Sequence, residues 1–449
     1  MNQSIREQKT PLYLRSSSEE IPVRKFEGDL YQREALAKRL TDTLARFPDG
    51  AVLSIDAPWD EGKTWFGRNW QASLNDLGFR TAYIDCFQRD HIDDPFAMLA
   101  GEFVQLAKLG KSKVQTTLIE ASKKVAASLL PVAAKFAANA AGHWLIGNAD
   151  LGKDIAKTVE AVSGSAADKL EKLVTKSLED YEAEKRSVEG FRKSLGDLAA
   201  ESEKPIVIFV DELDRCRPDF AVRTIERIKH FFGVPGIVFV LLINRKQLVA
   251  AVRGLYGQDV EADLYLGKFI QLSLTLPKRV SGEFGKPDDN RTHCEATLIR
   301  FGIPQTEGSR QFAQSMGLLA SLLKLSLRDI ERAVVLYSFS QPVNASSLFI
   351  AWPIAIKLYN PALFARLILN DQDAHAEAYK WAAQLRLKFP VGMENIIRLL
   401  EEMHNSGSQG FTKPIPEELM EILNPMTRAY GINRFFSSLF ERVDLSVST

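Results

Sequence analysis

The chain has 449 residues, 45% hydrophobic and 25% charged, enough apolar mass to bury more than one core. Lys+Arg and Asp+Glu are equal at 57 each, so no global field draws in nucleic acid or an acidic membrane surface, and DNA binding is not the default. Cys86, Cys216 and Cys294 form no CxxC pair and leave an odd thiol under any pairing, so no disulfide is expected and a reducing compartment is.

Residues 1–27 read as an N-terminal arm. The first twenty are polar and lack the apolar core of a secretory signal, so a cytoplasmic protein is expected. A first core segment, 28–110, contains Ala51-Val-Leu-Ser-Ile55, apolar on both faces as a buried parallel strand requires. It runs into Ala57-Pro-Trp-Asp-Glu-Gly62-Lys63-Thr64 and a helical stretch, Lys63–Leu77. The pattern GxxxxGK[ST] falls on this octapeptide, with Ala57 in place of the first glycine. In such loops backbone N–H groups wrap a β-phosphate, the lysine bridges the outer phosphates, and the threonine hydroxyl holds Mg²⁺. Ala57, Pro58, Trp59, Asp60, Glu61, Gly62, Lys63, Thr64 and Trp65 are therefore candidate nucleotide-binding residues. Lys63 is also a catalytic candidate and Thr64 a metal ligand. Ala57 gives up the positive φ open to glycine. Asp60 and Glu61 oppose the phosphate: a carboxylate ~8 Å away repels it by ~2 kcal/mol at an effective dielectric of about 20, whereas Lys63 at ~3 Å attracts by roughly 5. Both carboxylates are expected to point outward and stay solvated, and the helix N-terminus adds partial positive charge.

A second strand, Thr81–Ile84, and a helix, Pro95–Leu109, follow. Residues 111–204 carry Ala, Lys, Glu, Ser and Leu with no strand signal and read as a helical insertion. Within it, 125–147 is alanine-rich but broken by Pro131, Lys135, Asn139 and His143. One central lysine costs ~2.5 kcal/mol in a bilayer, so a packed helix is preferred to a membrane-contacting one.

The second core segment, 205–277, contains Ile206–Val210 and, at its end, Asp211-Glu212. Asp211 is placed to take Mg²⁺ through water and Glu212 to polarise the attacking water as a general base. The competing view makes Asp211, Glu212 and Asp214 an acidic cluster at a helix start. In Pro218–Phe232, Pro218 fits a first helical turn, Gly233 a left-handed cap and Pro235-Gly236 a turn. Strand Ile237–Ile243 ends at Asn244, read as a catalytic-site sensor of the terminal phosphate or attacking water, against a helix cap. Lys246–Leu255 is helical and Phe269–Leu276 is a fifth strand candidate. This alternation predicts an α/β fold: a doubly wound parallel sheet with right-handed crossovers and ligands at the carboxyl ends of the strands.

Residues 278–345 are expected to form a helical lid and 346–449 a C-terminal helical region. Ser326-Leu-Arg-Asp329 has the form of a capping box. It puts Arg328 in the first turn, against the helix dipole; Arg328 is therefore a catalytic candidate for reaching an anion, with an ordinary surface pair with Glu331 or Asp329 as the alternative. Trp352, Phe435, Phe436 and Phe440 read as core in preference to docking surface. His293-Cys294 has no further ligands at zinc spacing.

Taken together, Ala57 to Thr64, Ile84-Asp-Cys-Phe87, Asp94-Pro-Phe-Ala-Met-Leu99, Val207-Ile-Phe-Val-Asp-Glu-Leu-Asp-Arg-Cys-Arg-Pro218, Val238 to Leu248, Tyr265 to Leu272 and Leu327 to Arg332 resemble the KAP family of P-loop NTPases. The resemblance implies strand order 5-1-4-3-2, ATP with Mg²⁺, and hydrolysis that drives a conformational switch. It also implies a bacterial phage-defence type working with partner proteins of a defence complex. A homo-oligomer, and nucleic acid reached through a partner, stand beside these; a membrane partner is not expected. The departures are Ala57 and Asp60 for glycine, Glu212 for a second Asp, Asn244 for Asp, and Gly267 for an acid. Arg215 and Arg217 are candidate arginine fingers, or partners of Asp214 and Asp219. Two other functions compete: a scaffold that holds nucleotide with little turnover, and a nucleic-acid-acting ATPase, against which the zero net charge speaks.

Overall fold

The computed structural model describes residues 25–91, 95–108, 113–128, 182, 185–229, 233–279, 288–340, 347–388, 394–406 and 439–444. Strands β1 (Ala51–Asp56), β2 (Thr81–Asp85), β3 (Ile206–Asp211), β4 (Ile237–Ile243) and β5 (Leu272–Thr275) pair in parallel in the order β2-β3-β4-β1-β5. This is the expected order, counted from the other edge, and the chain is an α/β protein. β3 and β4 are buried at every residue, which is why their sequences are apolar without alternation. β5 is an edge, largely exposed, and shorter than the apolar run that suggested it.

Helices cover both faces of the sheet: α1 (Arg33–Leu44) and α2 (Lys63–Asp76) on one; α3 (Pro95–Lys108), α5 (185–200), α6 (Pro218–Lys229) and α7 (Arg245–Tyr256) on the other. α4 (Lys113–Ser128) packs beside α3, and the short α8 (Ala262–Gly267) lies against α7. The period of two along β3 divides the core. Val207 and Phe209 meet Phe66, Trp70 and Leu74, whereas Ile208 and Val210 meet Phe96, Phe103 and Ile225. Each such side chain, fully buried, contributes about 1.5–3 kcal/mol. α2 lies so close to the sheet that a Cβ on Gly67 would come within 2.3 Å of Leu242 Cδ1, so a larger residue there would require the Leu242 side chain to shift.

Pro218 starts α6 as expected, and Gly233 and Gly236 take φ of +71° and +75°. α1 was not among the predicted elements. Of the alanine-rich stretch, residues 129–147 lie outside the described ones; among the described residues no helix is long and apolar enough to cross a membrane. Cys86, Cys216 and Cys294 are free and buried.

The remaining helices have their own core. They are α9 (Asp289–Arg300), α10 (Glu307–Leu323), α11 (Leu327–Ser340), α12 (Ser347–Tyr359), α13 (Pro361–Ile368), α14 (Gln372–Lys388) and α15 (Glu394–Ser406), packed around Phe312, Leu319, Val334 and Ile354. Trp352 and Phe440 are buried in it; Phe435 and Phe436 lie outside the described residues.

Candidate nucleotide site

β1 delivers the chain to the loop at Asp56, and α2 takes it away from Gly62. Ala57 stays within the ordinary φ range, so its replacement of glycine costs no backbone strain. The left-handed positions are Asp60 (φ +62°) and Gly62 (φ +81°), and aspartate tolerates this conformation better than most residues. A Cβ on Gly62 would approach Arg33 Nη1 to 2.8 Å. No side chain caps α2 at Gly62, so the first N–H groups of a fourteen-residue helix are left for an anion. Lys63, buried, donates its ammonium to the carbonyls of Ala57 at 2.8 Å and Pro58 at 3.0 Å. It therefore spans the mouth of the loop, where phosphate oxygens would replace those carbonyls as acceptors. Trp65 packs edge-on against Phe26. On this chemistry the residues fit a polyphosphate.

Next to the loop, Asp211 ends β3 fully buried. Its Oδ2 accepts the Tyr83 hydroxyl at 2.6 Å and its Oδ1 the Glu212 N–H at 2.8 Å. Burial raises its pKa against these hydrogen bonds and against Lys63. The Thr64 hydroxyl donates to Glu212 Oε1 at 3.4 Å, so Thr64, Asp211 and Glu212 share one corner. No group of three or more His, Cys, Asp or Glu able to hold a metal occurs among the described residues, so a magnesium ion here would depend on Thr64, Asp211 and the phosphates. Burial first, then the neighbouring Asp211 charge, pushes the Glu212 carboxyl up to about 7, with Arg215 opposing. Asp211 belongs to the strand. Glu212, at φ +58°, is the N-cap residue of the single turn Leu213–Arg215 but makes no side-chain cap bond, and Asp214 lies within that turn.

Asn244 is buried at the N-cap position of α7, but its side chain makes no cap hydrogen bond. Asp56 Oδ1 instead accepts the Arg245 N–H at 2.8 Å, across from β1. The helix-cap view of the Asn244 side chain is thus set aside, and the amide lies at the carboxyl end of β4.

The loop carboxylates differ from expectation: they are paired rather than solvated. Glu61 is buried and its Oε1 meets Lys278 Nζ at 2.7 Å. Asp60 Oδ1 lies 2.8 Å from Arg328 Nη1 and 3.5 Å from Arg215 Nη2, and Arg215 Nε reaches Glu212 Oε2 at 2.7 Å. Trp59 donates its indole N–H to the Asp214 carboxylate. Desolvating a carboxylate costs more than a surface charge gains, so each has recruited a cation. Arg215 thus pairs with Asp60 and Glu212 in place of Asp214, and Arg217 donates to the Asp90 carbonyl at 2.8 Å.

Arg328 reaches the loop because its helix start is fixed. Ser326 and Asp329 exchange N–H bonds of 3.1 and 3.2 Å as the capping box requires. Asp329 takes Arg332 at 3.1 Å and Glu331 takes Arg300 at 2.7 Å, leaving Arg328 to Asp60. The anion it reaches is the protein's own. Arg33, Tyr31, Tyr83 and Lys278 were not singled out in the sequence. Arg33, buried, lies over the Tyr31 ring at 4.6 Å, and Tyr31 meets His293 Nδ1 at 2.6 Å. A local signal existed: Asp29 accepts the N–H groups of Tyr31 and Glu34 and so starts α1.

A parallel α/β sheet with a lysine loop between β1 and α2, facing an acidic pair at the end of β3, one strand beyond the neighbouring β4, defines a P-loop NTPase. A family model described as the KAP family P-loop domain matches residues 33–287, more than half of the chain, and the chain belongs to that family. No curated protein matches it. Solved structures similar to it include the Aeropyrum pernix ORC2 protein in ADPNP–ADP complexes, at 13% identity and TM-score 0.33 over 96% of this chain and 97% of that one. Cdc6p from Pyrobaculum aerophilum aligns at 12% identity and TM-score 0.38 over 96% and 98%. The Aeropyrum pernix ORC1 protein in complex with DNA aligns at 14% identity and TM-score 0.31 over 92% and 83%.

Proposed function

We propose that this nucleotide-binding P-loop protein hydrolyses Mg-ATP and uses the cycle as a conformational switch. The observation that supports it is the convergence of Lys63, Thr64, Asp211, Glu212 and Arg328 on one end of the sheet. ATP supplies the phosphoanhydride to be cleaved and Mg²⁺ the charge that makes its phosphates electrophilic. Lys63 and the first N–H groups of α2 bind the polyphosphate, and Thr64 and Asp211 hold the metal. Glu212, poised near neutrality, takes a proton from water. Asn244 orients that water or the terminal phosphate. Arg328 comes from the helices that follow the sheet, so a change in what it pairs with moves those helices relative to the loop.

The wider reading keeps what the family resemblance implies: a bacterial defence complex with partner proteins, and a cytoplasmic location. A homo-oligomer or nucleic acid reached through a partner would be compatible with the same switch. Arg217, turned toward Asp90, is the finger candidate not paired with the loop. A nucleotide-holding scaffold with little turnover is the second reading, favoured by the ion pairs that Asp60 and Glu212 already make. Glu212→Gln separates the two. Under the switch reading it retains ATP binding and loses hydrolysis; under the scaffold reading, wild-type turnover is already no faster than the variant's.

A further inference from the structure

We infer that Asp60 is a built-in competitor for the terminal phosphate, so that its contact with Arg328 is released by a triphosphate and kept with a diphosphate. The inference rests on the Mg-ATP reading and adds what the loop's own carboxylate does there. Asp60 occupies a left-handed position in the phosphate loop, two residues before Gly62. Its Oδ1 gathers two guanidinium groups from separate elements: Arg328 at the start of α11, 2.8 Å away, and Arg215 after β3, 3.5 Å away. Arg215 also holds Glu212 at 2.7 Å, so the two arginines and two carboxylates are balanced without any ligand.

Two features make this a contact built to be exchanged. The Asp60 Oδ1 atom is buried and no N–H points along a hydrogen-bond direction to it, so proximity of charge alone holds the pair. A buried acceptor lacking an aligned donor is held less well than a bidentate arginine–carboxylate pair. Arginines also suit phosphate better than a single carboxylate oxygen, because their fork donates two parallel N–H groups. A ligand that brings a third phosphate presents fresh oxygens and further negative charge next to Asp60. It takes over the arginines and repels the displaced carboxylate. A diphosphate ends at the part of the loop served by Lys63 and the α2 amides and leaves the arginines with Asp60. The site then answers to the terminal phosphate through α11.

The test uses the full chain and two readouts. Calorimetry with Mg-ATP and Mg-ADP compares wild type with Asp60→Asn, which keeps the volume and removes the charge. Asp60→Asn should tighten Mg-ATP about five-fold and change Mg-ADP less than about two-fold, the scale of a partly exposed ion pair. Without nucleotide, hydrogen exchange in the first turns of Leu327–Ser340 should accelerate about five-fold. Arg328→Gln, which breaks the contact from the other side, should accelerate exchange likewise without tightening Mg-ATP. Equal shifts for the two nucleotides, or unchanged exchange in both variants, overturn the inference and leave Mg-ATP binding standing. Absence of any nucleotide binding in wild type and variant removes both.

Discussion

Tyr83 on β2 donates its hydroxyl to Asp211 on the adjacent β3 at 2.6 Å, so a neighbouring strand as well as its own fixes the carboxylate proposed to hold the metal. Arg68 of α2 lies over the Tyr83 ring at 3.6 Å, and burial holds the phenol protonated, well above its ordinary pKa. Hydrogen bonds behind a metal ligand set its orientation, and their loss commonly costs 10- to 100-fold in metal affinity. Tyr83→Phe should therefore raise the Mg²⁺ concentration needed for half-maximal ATP turnover by about ten-fold and leave metal-free nucleotide binding within a factor of about two. A Mg²⁺ requirement equal to that of wild type would show that Tyr83 only packs.

Glu212 gives a pH prediction whose sign can be worked out. Its carboxyl rises from 4.5 to about 7 on folding, chiefly through burial. Between those values the folded chain keeps a proton that the unfolded chain has released. The unfolding free energy therefore falls as pH rises through that window, by about 3 kcal/mol at most. Asp211 acts with the same sign. Glu212→Gln removes its share, so the variant should gain on wild type in urea midpoint between about pH 5 and about pH 7.5. Parallel pH profiles for the two proteins would contradict the buried, ionisable Glu212.

The C-terminal core carries the opposite slope. Trp352 Nε1 donates to His404 Nε2 at 2.8 Å, so the proton of neutral His404 sits on Nδ1 and faces His375 Nδ1 at 3.1 Å. His375 then offers Nε2–H to Asn370 Oδ1 at 2.9 Å. Both rings must be neutral for this chain to close. Burial pushes the His404 pKa down to about 3 from 6.5 and also lowers that of His375, with Asp371 opposing. The stability these rings give is present above pH 6.5 and is lost as pH falls below it, when the unfolded chain takes up protons. Protection of Ser347–Tyr359 against hydrogen exchange, relative to the intrinsic rate at each pH, should fall between about pH 7 and about pH 5, and His404→Phe should weaken that dependence. Acid insensitivity in wild type would rule the neutral pair out.

What the sequence disclosed follows the range of the interactions involved. Gly62-Lys63-Thr64 and Asp211-Glu212 each lie within one turn of a strand end, so their placement follows from local chain geometry and strand apolarity. The order of the strands came from the family resemblance. Lys278 on Glu61 and Tyr83 on Asp211 join residues 217 and 128 positions apart, and no periodicity relates them. The charges of Asp60 and Glu61 were legible but their partners were not, so solvation was expected where pairing occurs. The concern over Ala57 dissolved for a different reason: the left-handed positions belong to Asp60 and Gly62, a detail of loop shape that a pattern match does not encode.

The central claim is that the loop from Ala57 to Trp65 holds the polyphosphate of a nucleotide through Lys63. Calorimetric titration of Mg-ATP into the full chain and into Lys63→Ala tests it most directly. Wild type should show one saturable site, and the variant should bind at least about thirty-fold more weakly, the worth of roughly 2 kcal/mol of charge-assisted hydrogen bonding. No binding by the wild type, or equal affinity in the two proteins, would contradict it.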